Sequence, residues 1–425
     1  MRTLNQKRPL AKNLRKERGL VTGQKATRCR PGDVGGLSLI SGNRVTRIIT
    51  RLNVGGPSRH VLLLNRSLDL AGYDSDLVFG SEGLREGTID PNLIKAKNIS
   101  ALRRPVHPWH DTQAYRAITK HLRERRPCLV HTHMAKAGIL GRLAASREGV
   151  PAILHTYHGH VLSGYFRSPL SKLFVQVERW AARRTHALVA ISPIIRDELL
   201  ELGIGKPSQW HIIPLGLDLD EYLNMKLEPL EARERFQIPP DGPLVGMIGR
   251  LAPIKDHETF FQVAAAIGAS VPKARFVVAG DGELREKLER RARTLLGDRV
   301  HFTGWVSDLK TMYSALDLVM LTSRNEGTPL SLIEAAASAR PTVATNVGGV
   351  RDVVREGVTG YLAPAGNVAE LSRRAVEVLR RPEQARQMGN AGREWVRRRF
   401  SAERLSTDIQ ELYSEILRGT TFALR

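Results

Sequence analysis

Residues 323–339 read S-R-N-E-G-T-P-L-S-L-I-E-A-A-A-S-A and lie between two short apolar runs. Residues 315–322, before them, have the length and composition of a strand buried on both faces, and residues 341–345 read as another. Residues 330–339 are rich in helix formers, which predicts a helix between the two strands. This order of strand, loop, helix and strand is typical of a parallel α/β sheet.

Two glutamates flank the start of the predicted helix. We expect Thr328 to be its N-cap and Pro329 its first residue. Glu326 lies on the loop just before the helix, and Glu334 lies within it, eight positions later. A helix N-terminus presents unpaired N–H groups that suit a phosphate, and carboxylates on either side would hold sugar hydroxyls. The pattern therefore indicates a nucleotide-sugar site, although the same pair of glutamates occurs as simply solvated residues in many α/β proteins.

The composition limits the classes of protein to consider. With 425 residues, the chain is long enough for two domains, and its hydrophobic fraction of 42% and charged fraction of 25% are those of an ordinary globular protein. The net charge of +22 favours a polyanionic partner: nucleic acid, an anionic membrane face or a phosphorylated substrate. An aromatic fraction of only 5% offers no stacking platform, so we predict no specific nucleic-acid partner.

The cysteines and the termini suggest a compartment. Cys29 and Cys128 form no CxxC pair, no zinc spacing and no disulfide framework, which favours a reducing cytosol. The chain has no run of 18 apolar residues and no apolar core of a secretory signal at its start, so we expect a cytoplasmic protein. Residues 1–43 are strongly basic, with Glu17 and Asp33 as their only acids. They predict a disordered tail that either contacts anionic lipid or is simply solvated.

Strands alternate with helices along the rest of the chain. Predicted strands cover residues 45–50, 76–79, 128–131, 152–155, 187–191, 210–214, 244–250, 275–279, 300–303, 315–321 and 341–345. The Pro- and acid-rich link after Leu215 divides them, which predicts a first domain at residues 44–215 and a second at 216–399. Residues 400–425 predict a helix that needs a surface to cover, in one interpretation by returning to the first domain. The fold class expected is α/β, with two facing Rossmann-like domains and a cleft between them.

Cations and glycines follow the predicted strands of the second domain. Arg250 ends one strand and Lys255 follows five residues later, so the two side chains would grip a diphosphate. Gly280-Asp-Gly282 ends the next strand and would let the backbone approach a base or ribose. Because the carboxyl ends of parallel strands share one edge of a sheet, we expect these residues to converge on one cleft.

These residues also carry a resemblance. In the second half of the chain it rests on Gly249-Arg-Leu-x-x-x-Lys255, Gly280-Asp-Gly282, Asn325-Glu-Gly-x-Pro-Leu-Ser-Leu-Ile-Glu-Ala335 and Val347-Gly-Gly349. In the first half it rests on Gly55-Gly56, His155-Thr-Tyr-His-Gly159 and Ile213-Pro-Leu-Gly-Leu-Asp218. As a combination these motifs resemble the retaining glycosyltransferases of family 4, the glycosyl transferases group 1 with the GT-B fold. The likeness extends over about residues 45–415.

The resemblance implies a role for each matching position. The residues it implies in catalysis are His158, Arg250, Lys255 and Glu326, and those it implies in donor binding are Gly55, Gly56, Gly282, Gly327, Thr328, Pro329, Leu330 and Glu334. Arg250 and Lys255 would neutralise the leaving diphosphate, Glu326 would bind hydroxyls of the transferred sugar, and Glu334 would bind the ribose. His158 would face the donor sugar, whereas His155 and His160 do not match that role and are expected to be structural. Thr328 stands where family members vary and would tune the choice of sugar.

The implied reaction moves a hexose-type sugar from a nucleotide-diphosphate sugar, most commonly a UDP-sugar in this family, to a saccharide or lipid-linked acceptor with retention of configuration. Asp218-Leu-Asp220 reads as Asp-x-Asp, which binds a metal in another glycosyltransferase fold. Here it lies away from the predicted diphosphate site, where Arg250 and Lys255 already supply positive charge. We therefore predict no metal and no other cofactor.

Several alternatives remain open at this stage. A sugar-nucleotide epimerase would share the fold, and the charge alone would also suit a basic nucleic-acid-binding protein. A group of arginines in the first domain would suit docking to an anionic membrane, or would form a generally basic solvated face. These are Arg123, Arg125, Arg126, Arg179, Arg183 and Arg184.

Overall fold

Two parallel sheets form the centre of the computed structural model, which describes residues 43–52, 56–81, 95–159 and 168–423. The strands of the first sheet are β1 (Arg44–Ile49), β2 (Asp74–Gly80), β3 (Ala96–Ile99), β4 (Leu129–His133), β5 (Ala152–Tyr157), β6 (Ala187–Ala190) and β7 (Trp210–Ile212). The strands of the second are β8 (Leu244–Ile248), β9 (Arg275–Ala279), β10 (Val300–Gly304), β11 (Leu318–Leu321), β12 (Thr342–Thr345) and β13 (Gly360–Ala363).

Both sheets have the doubly wound order. The first runs β3-β2-β1-β4-β5-β6-β7 and the second runs β10-β9-β8-β11-β12-β13, with every adjacent pair parallel. The direction of winding therefore reverses between β1 and β4 in one sheet and between β8 and β11 in the other. Such reversals open a crevice at the carboxyl edge of a sheet. The predicted α/β class with two Rossmann-like sheets is confirmed.

Helices cover both faces of each sheet. In the first half they are α1 (Gly56–Leu70), α2 (Pro108–Arg125), α3 (Ala135–Arg147), α4 (Ser168–Ala182) and α5 (Pro193–Glu201). The short helices α6 (Asp220–Leu223) and α7 (Pro229–Arg235) follow the link and pack on helices of the second half. In the second half they are α8 (His257–Ser270), α9 (Arg285–Leu296), α10 (Leu309–Ala315), α11 (Leu330–Ala337), α12 (Val350–Val353), α13 (Val368–Arg380), α14 (Pro382–Phe400) and α15 (Ala402–Ala423). Among the helices in the described ranges, none is both long enough and apolar enough to cross a bilayer.

The strands are apolar on both faces because helices pack on both sides. In the second sheet Val245 and Phe276 lie in one buried cluster with Phe260 of α8, while neighbouring positions face a second cluster on the opposite side. Burying each such side chain contributes about 1.5–3 kcal/mol. This packing holds the strand ends, and the loops after them, in fixed positions.

The last helix returns to the first sheet. Leu405, Ile409, Leu412 and Tyr413 recur at helical spacing and are buried in one cluster with residues of β1, α1 and β4. The Tyr413 hydroxyl lies 2.7 Å from Nδ1 of His131 in β4. The apolar stripe of α15 therefore covers a surface that belongs to the first half of the chain.

Two local expectations were wrong. Residues 315–322 do not form one strand, because Asp308 caps α10 by accepting from the Thr311 backbone N–H at 3.3 Å, and β11 begins only at Leu318. The helix α1 begins at Gly56, and the Ser58 hydroxyl donates to the Arg51 carbonyl. Cys128 is disulfide-bonded, so the expectation of no disulfide, and the inference of a reducing compartment drawn from it, are not supported.

Candidate functional site

The two cations and the first glutamate lie at the winding reversal of the second sheet. Arg250 follows β8, Lys255 ends the short turn Pro253–Lys255, and Glu326 follows β11. Lys255 Nζ lies 2.5 Å from Oε1 of Glu326, and both side chains are mostly buried. Arg250 is exposed. The structure thus joins two of these residues directly and leaves the guanidinium group of the third at the mouth of the crevice.

Glu326 is held from several directions. Its Oε1 also accepts from the Ser323 hydroxyl at 2.6 Å, and its backbone carbonyl accepts from Gly349 N–H at 3.1 Å. Gly348 has a φ of +47°, and a Cβ at this position would lie only 1.9 Å from the Glu326 carbonyl oxygen. The Gly348–Gly349 pair is therefore needed for the two loops to approach each other.

The helix after this loop begins without a side-chain cap. Pro329 occupies the N-cap position, and α11 runs from Leu330 to Ala337. The expectation that Thr328 caps the helix was wrong; its hydroxyl oxygen is buried and has no hydrogen-bond partner among the described residues. Since a ligand phosphate can replace a side-chain cap, the first turn of α11 suits an anion.

Glu334 is buried in the middle of α11, with 4% of its surface exposed. Its Oε2 accepts from the Tyr313 hydroxyl at 3.0 Å, and its Oε1 lies 3.3 Å from Nη1 of Arg59. Burial raises the pKa of the carboxyl group, and Arg59 and Tyr313 oppose that rise. Tyr222 contributes a further hydrogen bond. Glu334 is thus a desolvated acceptor surrounded by donors.

The carboxyl edge of the first sheet faces this crevice. A Cβ on Gly56 would lie 3.6 Å from Cδ1 of Leu330, and a Cβ on Gly327 would lie 3.4 Å from the carbonyl oxygen of His158. Gly56 and His158 therefore lie directly across from the start of α11. Gly282 lies three residues after β9, where a Cβ would lie 2.5 Å from the Leu251 carbonyl oxygen. The predicted residue Gly55 lies outside the described residues.

Histidines cluster on the side of the crevice formed by the first sheet. Nε2 of His158 lies 3.1 Å from Nδ1 of His133, and the His60 ring packs edge-on to the His158 ring with centroids 4.9 Å apart. Burial lowers the pKa of His158 to about 4 and also lowers the pKa values of His60 and His133, so all three are neutral near pH 7. His155 is buried and bonded to the Thr132 hydroxyl at 2.8 Å, away from this group. His160 lies outside the described residues.

Asp218 and Asp220 are not part of the crevice contacts described above. Both are exposed, and Asp220 opens the short helix α6. Among the described residues, the acids, histidines and cysteines close enough to share a metal ion are His60, His133 and His158, a set without either aspartate.

Sequence reasoning missed several residues of the crevice. They are Arg59, His60, His133, Tyr313 and Ser323, which the folded chain brings within hydrogen-bond or ring contact of the predicted set. The position of His133 could have been recognised from the sequence, because this residue ends β4 at the reversal of the first sheet. The sequence carries no such signal for Arg59 and Tyr313, since their contacts with Glu334 depend on the docking of separate elements.

Two family models match the chain in succession. Residues 54–221 match the model described as Glycosyltransferase Family 4, and residues 230–395 match the model described as Glycosyl transferases group 1. Together they include both sheet edges that line the crevice.

Individual relatives extend over most of the chain. The 2-deoxystreptamine glucosyltransferase of Streptomyces kanamyceticus is 30% identical over 312 residues, which cover 70% of this chain and 80% of that protein. The UDP-Gal:alpha-D-GlcNAc-diphosphoundecaprenol alpha-1,3-galactosyltransferase of Escherichia coli is 27% identical over 301 residues, covering 70% and 77%. Among solved structures, Anabaena Alr3699/HepE in complex with UDP superposes with a TM-score of 0.75 at 20% identity, covering 88% of this chain and 100% of that one. This structural likeness concerns the fold, which is GT-B.

Proposed function

We propose, from the premise that this chain belongs to the glycosyl transferases group 1, that it moves a hexose-type sugar from a UDP-sugar to an acceptor hydroxyl with retention of configuration. The enzyme class follows from the family. The base, the sugar type and the stereochemistry are part of the proposal. Support for UDP comes from the Anabaena neighbour, whose complex contains that nucleotide.

The observation that carries the proposal is the contact of 2.5 Å between Lys255 and Glu326 at the winding reversal of the second sheet. The two residues lie beside the uncapped start of α11 and opposite His158. A cation, a carboxylate and a helix N-terminus are the groups needed for a diphosphate and a sugar bound side by side. A diphosphate entering this site would take over part of the interaction of Lys255 with Glu326.

Each donor group has a proposed partner in the crevice. Arg250 and Lys255 bind the diphosphate, together with the backbone of residues 327–330. Glu334 accepts from the ribose hydroxyls, and Gly282 lets the chain approach the nucleoside. Gly56 leaves room for the diphosphate on the side of the first domain. Thr328, whose buried hydroxyl has no hydrogen-bond partner among the described residues, tunes which sugar is accepted.

The chemical step separates charge. As the bond to the anomeric carbon breaks, negative charge grows on the leaving diphosphate and the sugar becomes oxocarbenium-like. Lys255, Arg250 and the α11 N-terminus are in position before the reaction starts, and they stabilise that charge as it develops. Glu326 is already engaged by Lys255 and Ser323, so we assign it to sugar hydroxyls and not to covalent attack. His158 faces the sugar from the opposite side. The acceptor hydroxyl bonds to the anomeric carbon on the face that the diphosphate leaves, and its proton passes to the leaving diphosphate.

Three sources of positive charge around the diphosphate make a divalent cation unnecessary for the transfer. Lys255, Arg250 and the helix N-terminus supply the positive charge that a metal provides in other glycosyltransferases. We therefore propose metal-independent transfer, with no cofactor besides the donor.

We further propose an acceptor in surface polysaccharide or glycolipid synthesis, reached from the cytoplasmic face of a membrane. The Escherichia coli relative, whose name includes a diphosphoundecaprenol, and the net charge of +22 support this. The basic face of the first domain is weaker than its sequence suggests, because Arg123 pairs with Glu148 and Arg125 with Asp74.

A thermal-shift panel tests the donor assignment. The full chain is heated with UDP, GDP, ADP and their sugar conjugates, with and without EDTA, because a bound ligand raises the unfolding temperature by mass action. We expect a shift with UDP and UDP-sugars that survives EDTA. A shift confined to GDP or ADP would overturn the choice of base, and a shift that EDTA abolishes would overturn metal independence.

A further inference from the structure

Three histidines from separate elements meet at the carboxyl edge of the first sheet. His60 lies in α1, His133 is the last residue of β4, and His158 follows β5. One ring nitrogen from each residue lies within 4.8 Å of the other two. The strands β1, β4 and β5 are neighbours in the sheet, so this convergence is fixed by the topology.

Two ring nitrogens of this group lack partners. Nδ1 of His60 and Nε2 of His133 are buried and have no hydrogen bond among the described residues. His60 is 3% exposed and His133 is not exposed at all. Leaving such groups unsatisfied is unfavourable, and the proposed sugar transfer uses only His158. The unpartnered Nδ1 of His60, at the centre of this group, therefore needs a separate explanation.

We propose that His60, His133 and His158 bind a divalent d-block cation, with Zn²⁺ as the reference ion. Imidazole nitrogens suit Zn²⁺, Co²⁺, Ni²⁺ and Cu²⁺, whereas Mg²⁺ and Ca²⁺ require oxygen ligands that this group does not offer. Tetrahedral coordination at a Zn–N distance of about 2.0–2.1 Å places nitrogens about 3.3 Å apart. His133 Nδ1 and His158 Nε2 are already 3.1 Å apart, and a small movement of the His60 ring completes the set.

The surroundings point to a reversible site. Structural metal sites fix each histidine by a hydrogen bond from its second nitrogen to a carboxylate or carbonyl group. For His133 the second nitrogen is Nε2, which has no hydrogen-bond partner among the described residues. Three neutral ligands also leave a fourth position open. A cation held in this way exchanges with the medium and is not needed for the fold.

Occupancy of the site would inhibit the enzyme, and this consequence rests on the proposed function. His158 is the residue assigned to the donor sugar, and its carbonyl oxygen lies against Gly327 of the donor loop. A cation that binds His158 withdraws its ring from the sugar. The binding of the cation does not depend on that assignment.

Cobalt provides the test. Full-length chain without an affinity tag, stripped with a chelator, is titrated with Co²⁺, whose visible absorption intensifies in four-coordinate sites, and then with Zn²⁺ in competition. We expect one equivalent of Co²⁺ to give this band and Zn²⁺ to remove it. His60→Gln should weaken binding about a hundredfold, at least as much as loss of an outer-shell partner does.

The control separates this site from surface binding. His107 and His110 form a histidine pair with ring centroids 4.6 Å apart, away from the crevice, so His110→Gln should leave the titration unchanged. Equal affinity in wild type and His60→Gln, or binding without the four-coordinate band, would overturn the proposal. If His60→Gln lowers the unfolding temperature, His133→Gln provides the second test. UDP binding is measured on the same samples, so a failure of the donor assignment is seen separately from a failure of the metal site.

Discussion

Arg59 of α1 reaches across the crevice to Glu334 of α11, with Nη1 3.3 Å from Oε1. The arginine is partly exposed and the glutamate is almost fully buried, so the pair closes one end of the proposed nucleoside site. This contact joins the two sheet edges through the residue that we assign to the ribose. A bound nucleotide must share Glu334 with Arg59 or displace it.

Arg59→Gln should shift the pH dependence of UDP binding. Arg59 opposes the rise that burial causes in the pKa of Glu334, so its removal raises that pKa further. The ionised carboxylate is the acceptor for the ribose, and affinity is lost as pH falls through the pKa. In the variant the loss should therefore begin at higher pH. Calorimetric titration with UDP from neutral to acidic pH measures this.

The matched control for that variant is Arg66→Gln, an exposed arginine on the same helix. It should reproduce the wild-type pH profile. An identical profile in Arg59→Gln would show that the pair does not influence the nucleoside site.

Glu326→Ala should abolish transfer and leave UDP affinity nearly unchanged. The carboxylate is assigned to the hydroxyls of the sugar, so its loss destabilises the transition state. We expect the rate to fall by a factor of about 10²–10³, as for other positioned hydrogen-bonding groups. Release of UDP from the donor in the presence of acceptor gives the rate, and titration gives the affinity. Glu286→Ala, at a highly exposed position, is the control. Retained activity in Glu326→Ala would mean that the assignment is wrong.

Lys255→Met should weaken the binding of UDP about tenfold or more and leave uridine binding unchanged, because a single charge–diphosphate hydrogen bond contributes about 1.5–3 kcal/mol. Comparing the two ligands isolates the diphosphate from the nucleoside. Lys287→Met, on an exposed face of α9, should change neither affinity. Equal losses for UDP and uridine would place Lys255 at the nucleoside.

Two glycines should respond differently to alanine. A Cβ on Gly56 makes ordinary contact with Leu330, so Gly56→Ala should leave the unfolding temperature nearly unchanged but weaken UDP-sugar binding by crowding the diphosphate. A Cβ on Gly348 collides with the Glu326 carbonyl oxygen, so Gly348→Ala should destabilise the fold by about 1–3 kcal/mol. Thermal unfolding with and without UDP distinguishes the two, and a destabilised Gly56→Ala variant would contradict this interpretation.

The parts of the site predicted from the sequence are those that follow a strand. Arg250, Lys255 and Glu326 could be placed together because parallel strands end at one edge, and the strand order brings their loops to a single reversal. The strand was predicted to begin at residue 315, which is too early, because the apolar run at this point includes the end of α10. Asp308, three residues before Thr311, was the capping signal that marks this helix.

The remaining contacts depend on long-range docking. Arg59 meets Glu334 across 275 positions of the chain, and Tyr313 meets it from a helix whose pattern gives no sign of a ligand. Neither periodicity nor composition encodes which elements from two sheets will face each other. The histidine group also depends on docking, since His60 comes from a helix and His133 and His158 come from strand ends.

The return of α15 to the first sheet means that the chain passes between the two sheets twice. The two passages touch: the backbone N–H of Leu217 donates to the Phe400 carbonyl at 2.8 Å, and Leu217 pairs with Ser401 in a parallel bridge. Adjacent crossings leave the two halves free to turn about one axis and restrain sliding or separation. We predict that Leu217 and Ser401 act as a pivot, so that substitutions there change how far the crevice closes around a donor.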